Sequence, residues 1–206
     1  DRLSAVQLAL VEPLTVGFHA VDNGKVTDSD TVVIFGCGMI GSGAIVRSHL
    51  RGANVVAVDL DDSKLAIAQK LGANHIINSN SQDLHEELEK ITGGHGPSVV
   101  IEAAGSPVTY KAAIEEVGFG GRVVCIGYAG NEISFPTKLW VQKELEIMGS
   151  RNANPSDFEA VMKYLKNSGL DENLLVSRVI PCEEVPQAMQ DWSENHGKIL
   201  KILVRF

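Results

Sequence analysis

The sequence predicts an α/β fold: a doubly wound, six-stranded parallel sheet with helices on both faces. Three observations carry this. Thr31–Phe35 (TVVIF) is an unbroken β-branched and aromatic run, the kind buried on both faces of a parallel sheet. From there to Ser150, short apolar runs alternate with stretches of helical spacing. A chain of 206 residues, 44% hydrophobic and 21% charged, is also long enough to bury a sizeable core.

The first run leads straight into Gly36-Cys37-Gly38-Met39-Ile40-Gly41, after which apolar residues recur at helical spacing to Leu50, with Gly52 as a stop. A second buried run, Val55–Val58, ends in Asp59, where an acidic residue completes the Rossmann fingerprint. Gly36 permits the tight turn, Gly38 leaves room for a pyrophosphate, and Gly41 lets the helix lie close to the strand. The helix start offers unpaired N–H groups and a positive dipole end to phosphates. Asp59 is placed to accept both hydroxyls of an adenosine ribose, and would repel a 2′-phosphate. NAD is therefore expected over NADP. A GxGxxG alone is weak; the strand before it, the helix after it and the acid together make it specific.

The remaining elements follow in order. Arg2–Leu10 reads as one amphipathic stretch. A second helix is expected to start near Pro13 and to close at Gly24. Past Asp59, a helix capped by Asp62 or Ser63 runs to Leu71, a strand covers His75–Asn78, and Asp83–Ile91 is a charged helix. Strands are expected at Ser98–Glu102, Gly121–Ile126 and Glu144–Ser150, with helices at Ser106–Val117 and Pro136–Gln142. The tail leaves this alternation. It reads as a helix to Asn167, a strand at Val176–Ile180, a helix at Glu183–Trp192 and a strand at Lys198–Phe206. The expected organisation is a connecting segment over 1–13, the dinucleotide domain over 14–150 and part of a second domain over 151–206.

Composition narrows the function. A net charge of −8 with no basic cluster argues against nucleic acid or an anionic membrane surface as partner. No apolar run reaches the roughly 18 residues of a membrane span. Cys37, Cys125 and Cys182 form neither a disulfide framework nor a CxxC site, so a reducing, cytoplasmic setting is expected. The histidines show no HxxxH or HExxH spacing. Cys37 is either a thiol activated by a helix N-terminus or, the reading preferred here, a small side chain facing the sheet.

Taken together, EPLTVGFHA, GCGMIGSG, VDLDDSKLAIAQKLGA, VVIEAAGS, GGRVVCIG and KELEIMGSRNA resemble the zinc-dependent medium-chain dehydrogenases, specifically the sorbitol, threonine and sugar-acid branch. The likeness covers essentially the whole chain. It implies hydride transfer between NAD and a secondary alcohol of a polyol or sugar acid. In that family the catalytic domain is split around the cofactor domain, so this chain resembles such an enzyme without the N-terminal part of that domain. By the resemblance, Glu12 sits beside the catalytic zinc and Val16 packs against the nicotinamide. Gly36, Gly38, Met39, Ile40 and Gly41 hold the pyrophosphate; Asp59, Leu60 and Lys64 form the ribose pocket. Ala103 and Ala104, then Ile126, Gly127 and Tyr128, then Gly149, Ser150 and Arg151 line the nicotinamide half. Lys201 falls where a basic residue reaches the phosphates.

The family's other zinc ligands have no counterpart here, so zinc is expected only in a full-length enzyme and the fragment should bind NAD without turnover. The edge strand 144–150 is expected to form a homodimer or tetramer. Two alternatives stay open. A non-enzymatic NAD sensor would have no need of Glu12, and a zinc-free quinone reductase would lack the acidic clamp of Asp59.

Overall fold

The computed structural model describes residues 2–195, 197 and 199–206. His196 and Lys198 fall outside the described residues; the strand expected over Lys198–Phe206 is shorter than that reading, since residues 199–201 are not in a strand and it begins only at Ile202. The first element is one helix, α1 (Ala5–Asn23), where the sequence reading had two. Ser4 starts it with a reciprocal capping box to Gln7. Pro13 lies in its interior rather than its first turn, which corrects the expected helix start. The carbonyl that Pro13 cannot pair belongs to Ala9, an exposed residue that water reaches, and this keeps the proline tolerable.

The sheet follows as β1 (Thr31–Phe35), α2 (Met39–Leu50), β2 (Asn54–Asp59), α3 (Asp62–Lys70), β3 (His75–Asn78), α4 (Leu84–Thr92), β4 (Val99–Glu102), α5 (Pro107–Glu116), β5 (Arg122–Cys125), α6 (Lys138–Lys143) and β6 (Glu146–Gly149). All six strands are parallel, in the order β3-β2-β1-β4-β5-β6. Within this sheet β4, β5 and β6 are shorter than the sequence reading. The largest trim is at β6, because Glu144 takes a left-handed conformation (φ 53°) where α6 ends.

Alternate strand residues feed two separate cores, as the period of 2 requires. Val32, Ile34, Val55, Ala57, Val99 and Ile101 pack under α1 and α2. Val33, Phe35, Val56, Val58, Val100 and Val123 pack on the other face, with Leu88, Ala113 and Val117. The α1–α2 crossing is close enough that a Cβ on Gly17 would strike the backbone of Ile40 and Ala44, and one on Gly43 the backbone of Leu14. Two glycines therefore let helix backbones touch above the sheet.

The tail comprises α7 (Pro155–Asn167), β7 (Arg178–Pro181), α8 (Val185–Asn195) and β8 (Ile202–Arg205). The two strands form a small parallel sheet of their own. The helix expected at Glu183 starts later because Cys182–Glu184 form a 3-10 turn. Segment 150–172 is tied to α1 by side chains: Ser4 Oγ donates to Glu172 (2.5 Å), Gln7 to the Leu165 carbonyl (3.4 Å) and Asn23 to Ser150 Oγ (3.2 Å), while His19 Nδ1 lies 3.0 Å from Asp157. Val179, Met189, Trp192, Val204 and Phe206 remain exposed on the tail. Among the described residues, no helix is long and apolar enough to cross a membrane.

Candidate functional site

The strand order reverses between β1 and β4, and the helices that leave them, α2 and α5, lie on opposite faces. A crevice at the carboxyl ends of the strands follows from that topology. Gly36 makes the turn out of β1 at φ +90°, where a Cβ would press within 3.0 Å of the Ala104 backbone. Gly41 is forced by a different contact from the one expected. A Cβ there would run into the Gly36 carbonyl, so its tightness lies within the turn, while Gly43 serves the closeness of α2 to its neighbour.

Gly38 is the N-cap of α2 and has nothing within 4 Å of a Cβ position; no side chain caps the helix. Elsewhere at this edge the chain supplies its own acceptors. Asp61 caps α3 and Ser106 caps α5. The first turn of α2, with half-buried Met39 and Ile40, therefore presents amides that no side chain claims.

Asp59 ends β2 beside this turn, held by three backbone amides. Cys37 N donates to Oδ2 (2.7 Å); Leu60 N and Asp61 N donate to Oδ1 (2.8 and 3.1 Å). A carboxylate has about four acceptor positions, so three are occupied and less remains for two ribose hydroxyls than the sequence implied. Leu60 is 61% exposed, and Lys64 on α3 is close enough for its charge to act on Cys37. The Cys37 thiol itself is buried; burial first, and the Asp59 charge second, push its pKa above the usual range. Of the two readings of Cys37, the structure supports the small buried side chain.

Three strand exits stand in a row: Ala103–Ala104 after β4, Ile126–Tyr128 after β5, and Gly149–Arg151 around the end of β6. Ile126 and Ser150 are buried, whereas Tyr128 and Arg151 are exposed. Val16, on α1, packs against the same core as Met39, Ile40 and Ala103. Glu12 lies one turn before Val16 and is exposed. Among the described residues no three His, Cys, Asp or Glu side chains converge to hold a metal. Glu12 alone therefore does not fit a zinc site. Lys201 belongs to the tail, where its carbonyl accepts from Ser177 N (2.8 Å).

Sequence reasoning passed over three groups. Glu102 is wholly buried at the end of β4. Asp30 is buried at the opposite edge, paired with Arg122. His19 and Asp157 join α1 to α7. A lone Glu closing the apolar run VVIE was the one available signal.

A cleft of about 690 Å³ lies at the amino edge, lined among others by Arg47, His49, Lys70 and Lys163. The C-terminal ends of α2, α3 and α7 meet there. Its cations complement those dipole ends, and Arg47 is already paired with Asp22 (2.7 Å). The converging negative ends make it a poor place for an anion.

Residues 40–167 match the zinc-binding dehydrogenase family. Sorbitol dehydrogenase of Bacillus subtilis is 33% identical over 207 residues, covering 99% of this chain and 58% of that protein. D-xylulose reductase of Scheffersomyces stipitis is 38% identical over 164 residues, covering 79% of this chain and 45% of that protein. The crystal structure of 2R,3R-butanediol dehydrogenase from Bacillus subtilis superposes with a TM-score of 0.89 at 30% identity, over 100% of this chain and 59% of that one. The chain thus spans less than two thirds of the length of these relatives.

Proposed function

Since the chain belongs to the zinc-binding dehydrogenase family, we propose that residues 14–150 bind NAD in the service of alcohol oxidoreduction, and that 1–13 and 151–206 belong to a split catalytic domain. The observation that carries this reading is the uncapped N-terminus of α2 beside a carboxylate held by backbone amides. Gly36, Gly38, Met39, Ile40 and Gly41 would hold the pyrophosphate on backbone N–H groups; Asp59, with Leu60 and Lys64, would take the adenosine ribose. Asp59 disfavours a 2′-phosphate by charge. Val16, Ala103, Ala104, Ile126, Gly127, Tyr128, Gly149, Ser150 and Arg151 would line the nicotinamide half, with Lys201 reaching the phosphates. Bound nicotinamide supplies the hydride acceptor or donor. This chain's part is to orient that ring and to exclude water from one of its faces.

The names of the relatives support a small polyol substrate with a secondary alcohol, and the sugar-acid alternative rests on the sequence resemblance. Zinc is a separate matter: Glu12 would contribute at most one ligand, so the 206 residues are expected to bind NAD without oxidising polyols. A homodimer, or tetramer, would form through segment 144–150, where β6 is the outer strand. A cytoplasmic setting suits the free thiols.

Calorimetric titration with NADH and NADPH tests the reading. NADH should bind and NADPH should bind at least about 10-fold more weakly, the worth of one unfavourable charge contact. Preference for NADPH would overturn the role of Asp59, and polyol oxidation by this chain would overturn the expected lack of turnover.

A further inference from the structure

Glu102 is the last residue of β4, in register with Phe35 and Cys125, and by alternation shares the face of Val100, under α5. It is 0% exposed. One carboxylate oxygen, Oε1, accepts from Ala104 N (3.1 Å), Gly105 N (2.9 Å) and the Thr109 hydroxyl (2.7 Å). The other, Oε2, is buried with no hydrogen-bond partner. A Cβ on Gly127 would come within 2.6 Å of Oε2 and would also strike the Gly105 amide. The main-chain carbonyl of Glu102 accepts from Ile126 N (2.8 Å) and Gly127 N (3.0 Å). Tyr110, on α5, donates its hydroxyl to the Gly127 carbonyl (2.6 Å).

Two strand exits therefore meet on one residue. The backbone after β4 wraps Oε1, the backbone after β5 hangs on the Glu102 carbonyl, and Gly127 fits only because it has no side chain beside Oε2. A buried carboxylate with no adjacent cation is costly unless backbone dipoles compensate it. Here the Ala104 and Gly105 amides, just ahead of α5, supply them, and the Thr109 hydroxyl on α5 adds a third donor. Its charge extends to its neighbours: burial first, with Glu102 among the further causes, pushes the Tyr110 hydroxyl up to about 12, and burial and then Glu102 push the Cys125 thiol up to about 11.

We propose that Glu102 is a positioning residue for the nicotinamide half of the bound dinucleotide, clamping the exits of β4 and β5 into a single platform. The proposal rests on the NAD reading given above and extends it to a residue that touches no ligand. Its consequence is selective. Disturbing the clamp should move Ala103–Ala104 and Ile126–Tyr128 while leaving the Gly36–Gly41 turn and Asp59 in place.

The test compares two probes, NADH and ADP-ribose, the latter lacking the nicotinamide. Glu102→Gln keeps the shape but replaces the charged acceptor with a neutral one. NADH affinity should fall about 10-fold, the loss expected on weakening charge-assisted hydrogen bonds, while ADP-ribose affinity changes less than about 2-fold. An equal fall for both probes, or no fall for NADH, would overturn the proposal. Failure of the NAD reading has a different signature, the wild-type chain binding neither probe. If Glu102→Gln does not fold, Tyr110→Phe decides: it removes one tie to Gly127, and NADH affinity should fall about 3-fold with ADP-ribose unchanged. Unchanged NADH affinity in that variant would sink the clamp.

Discussion

The N-termini of α2 and α5 stand side by side at the carboxyl edge, each fed by a central strand, yet the chain treats them oppositely. At α5, Ser106 accepts from Val108 N, Pro107 removes a donor and Glu102 absorbs the preceding amides. At α2, Gly38 offers no side-chain acceptor and open space lies in front of it. On the proposed reading, the contrast is a way to make an anion site without adding positive charge. One helix pole is closed by the chain's own groups, and its neighbour is left for a ligand to close.

Filling the open pole should give the largest effect. Gly38 has φ −69° and ψ −171°, a conformation any residue adopts, so Gly38→Asp should fold. The new carboxylate would cap α2 and raise stability by a few tenths of a kcal/mol, roughly the difference between Asp and Gly at an N-cap. It would also take the amides and repel the diphosphate. NADH affinity should fall about 100-fold or more, the worth of two hydrogen bonds to a charged group. A variant that gains stability and keeps NADH affinity would break the comparison outright.

The amino edge provides the control. Asp30 is buried, which alone would raise its pKa, but the Ser98 hydroxyl, the Thr27 amide and Arg122 together hold it below its ordinary 3.8. A carboxyl group with a depressed folded pKa contributes stability that is complete above the unfolded pKa and is lost as pH falls through the folded one. Arg122→Met should cost about 2 kcal/mol at pH 7, because Asp30 stays buried with fewer donors. The difference between wild type and variant should narrow in denaturant titrations carried below pH 3.8. NADH affinity should stay within about 2-fold, since this pair lies at the far edge of the sheet.

Opening the closed pole is the converse of filling the open one. Ser106→Ala should lower unfolding free energy by about 1 kcal/mol while changing NADH affinity less than about 3-fold, because Glu102 still holds Ala104 and Gly105. A melting curve and a titration on the same sample separate the two quantities. A large loss of affinity with little loss of stability would mean that α5, not α2, receives the charged ligand.

Different parts of this edge were legible to different degrees, for physical reasons. Much of the turn from Thr31 to Asp59 left a mark in the sequence because Gly36, Gly41 and Gly43 each answer a local steric demand, whereas Gly38 meets none from the protein itself. Gly41 was recognised but its partner was misjudged, since a fingerprint records which residue is small and not what presses on it. Pro13 misled because proline propensity carries no information about whether the abandoned carbonyl can reach water. Glu102 went unread because its partners are backbone amides and a glycine far along the chain, and amides have no sequence signature. His19 and Asp157 are 138 residues apart, beyond any periodicity. The family resemblance named candidates for the crevice lining and gave no sign of Glu102 or of the His19–Asp157 pair.

The smallest expected effect concerns Cys37, which sits in the α2 turn between the open pole and Asp59. A thiol at a helix N-terminus is ordinarily activated, because the dipole favours the thiolate. Here the backbone amide of Cys37 takes the Asp59 carboxylate, and the side chain turns inward, its sulfur 3.8 Å from the Val58 carbonyl. Burial and the Asp59 charge then hold the thiol protonated. The pole therefore reaches outward through backbone alone. Mass spectrometry after brief alkylation at pH 8 should find Cys182, which is exposed, modified first, Cys125 more slowly, and Cys37 essentially not at all. Saturating NADH should leave that order unchanged. Labelling of Cys37 ahead of Cys182 would mean that the positive end of α2 acts on a side chain of its own, and the open pole would then be a thiol-activating device as well as a place for phosphate.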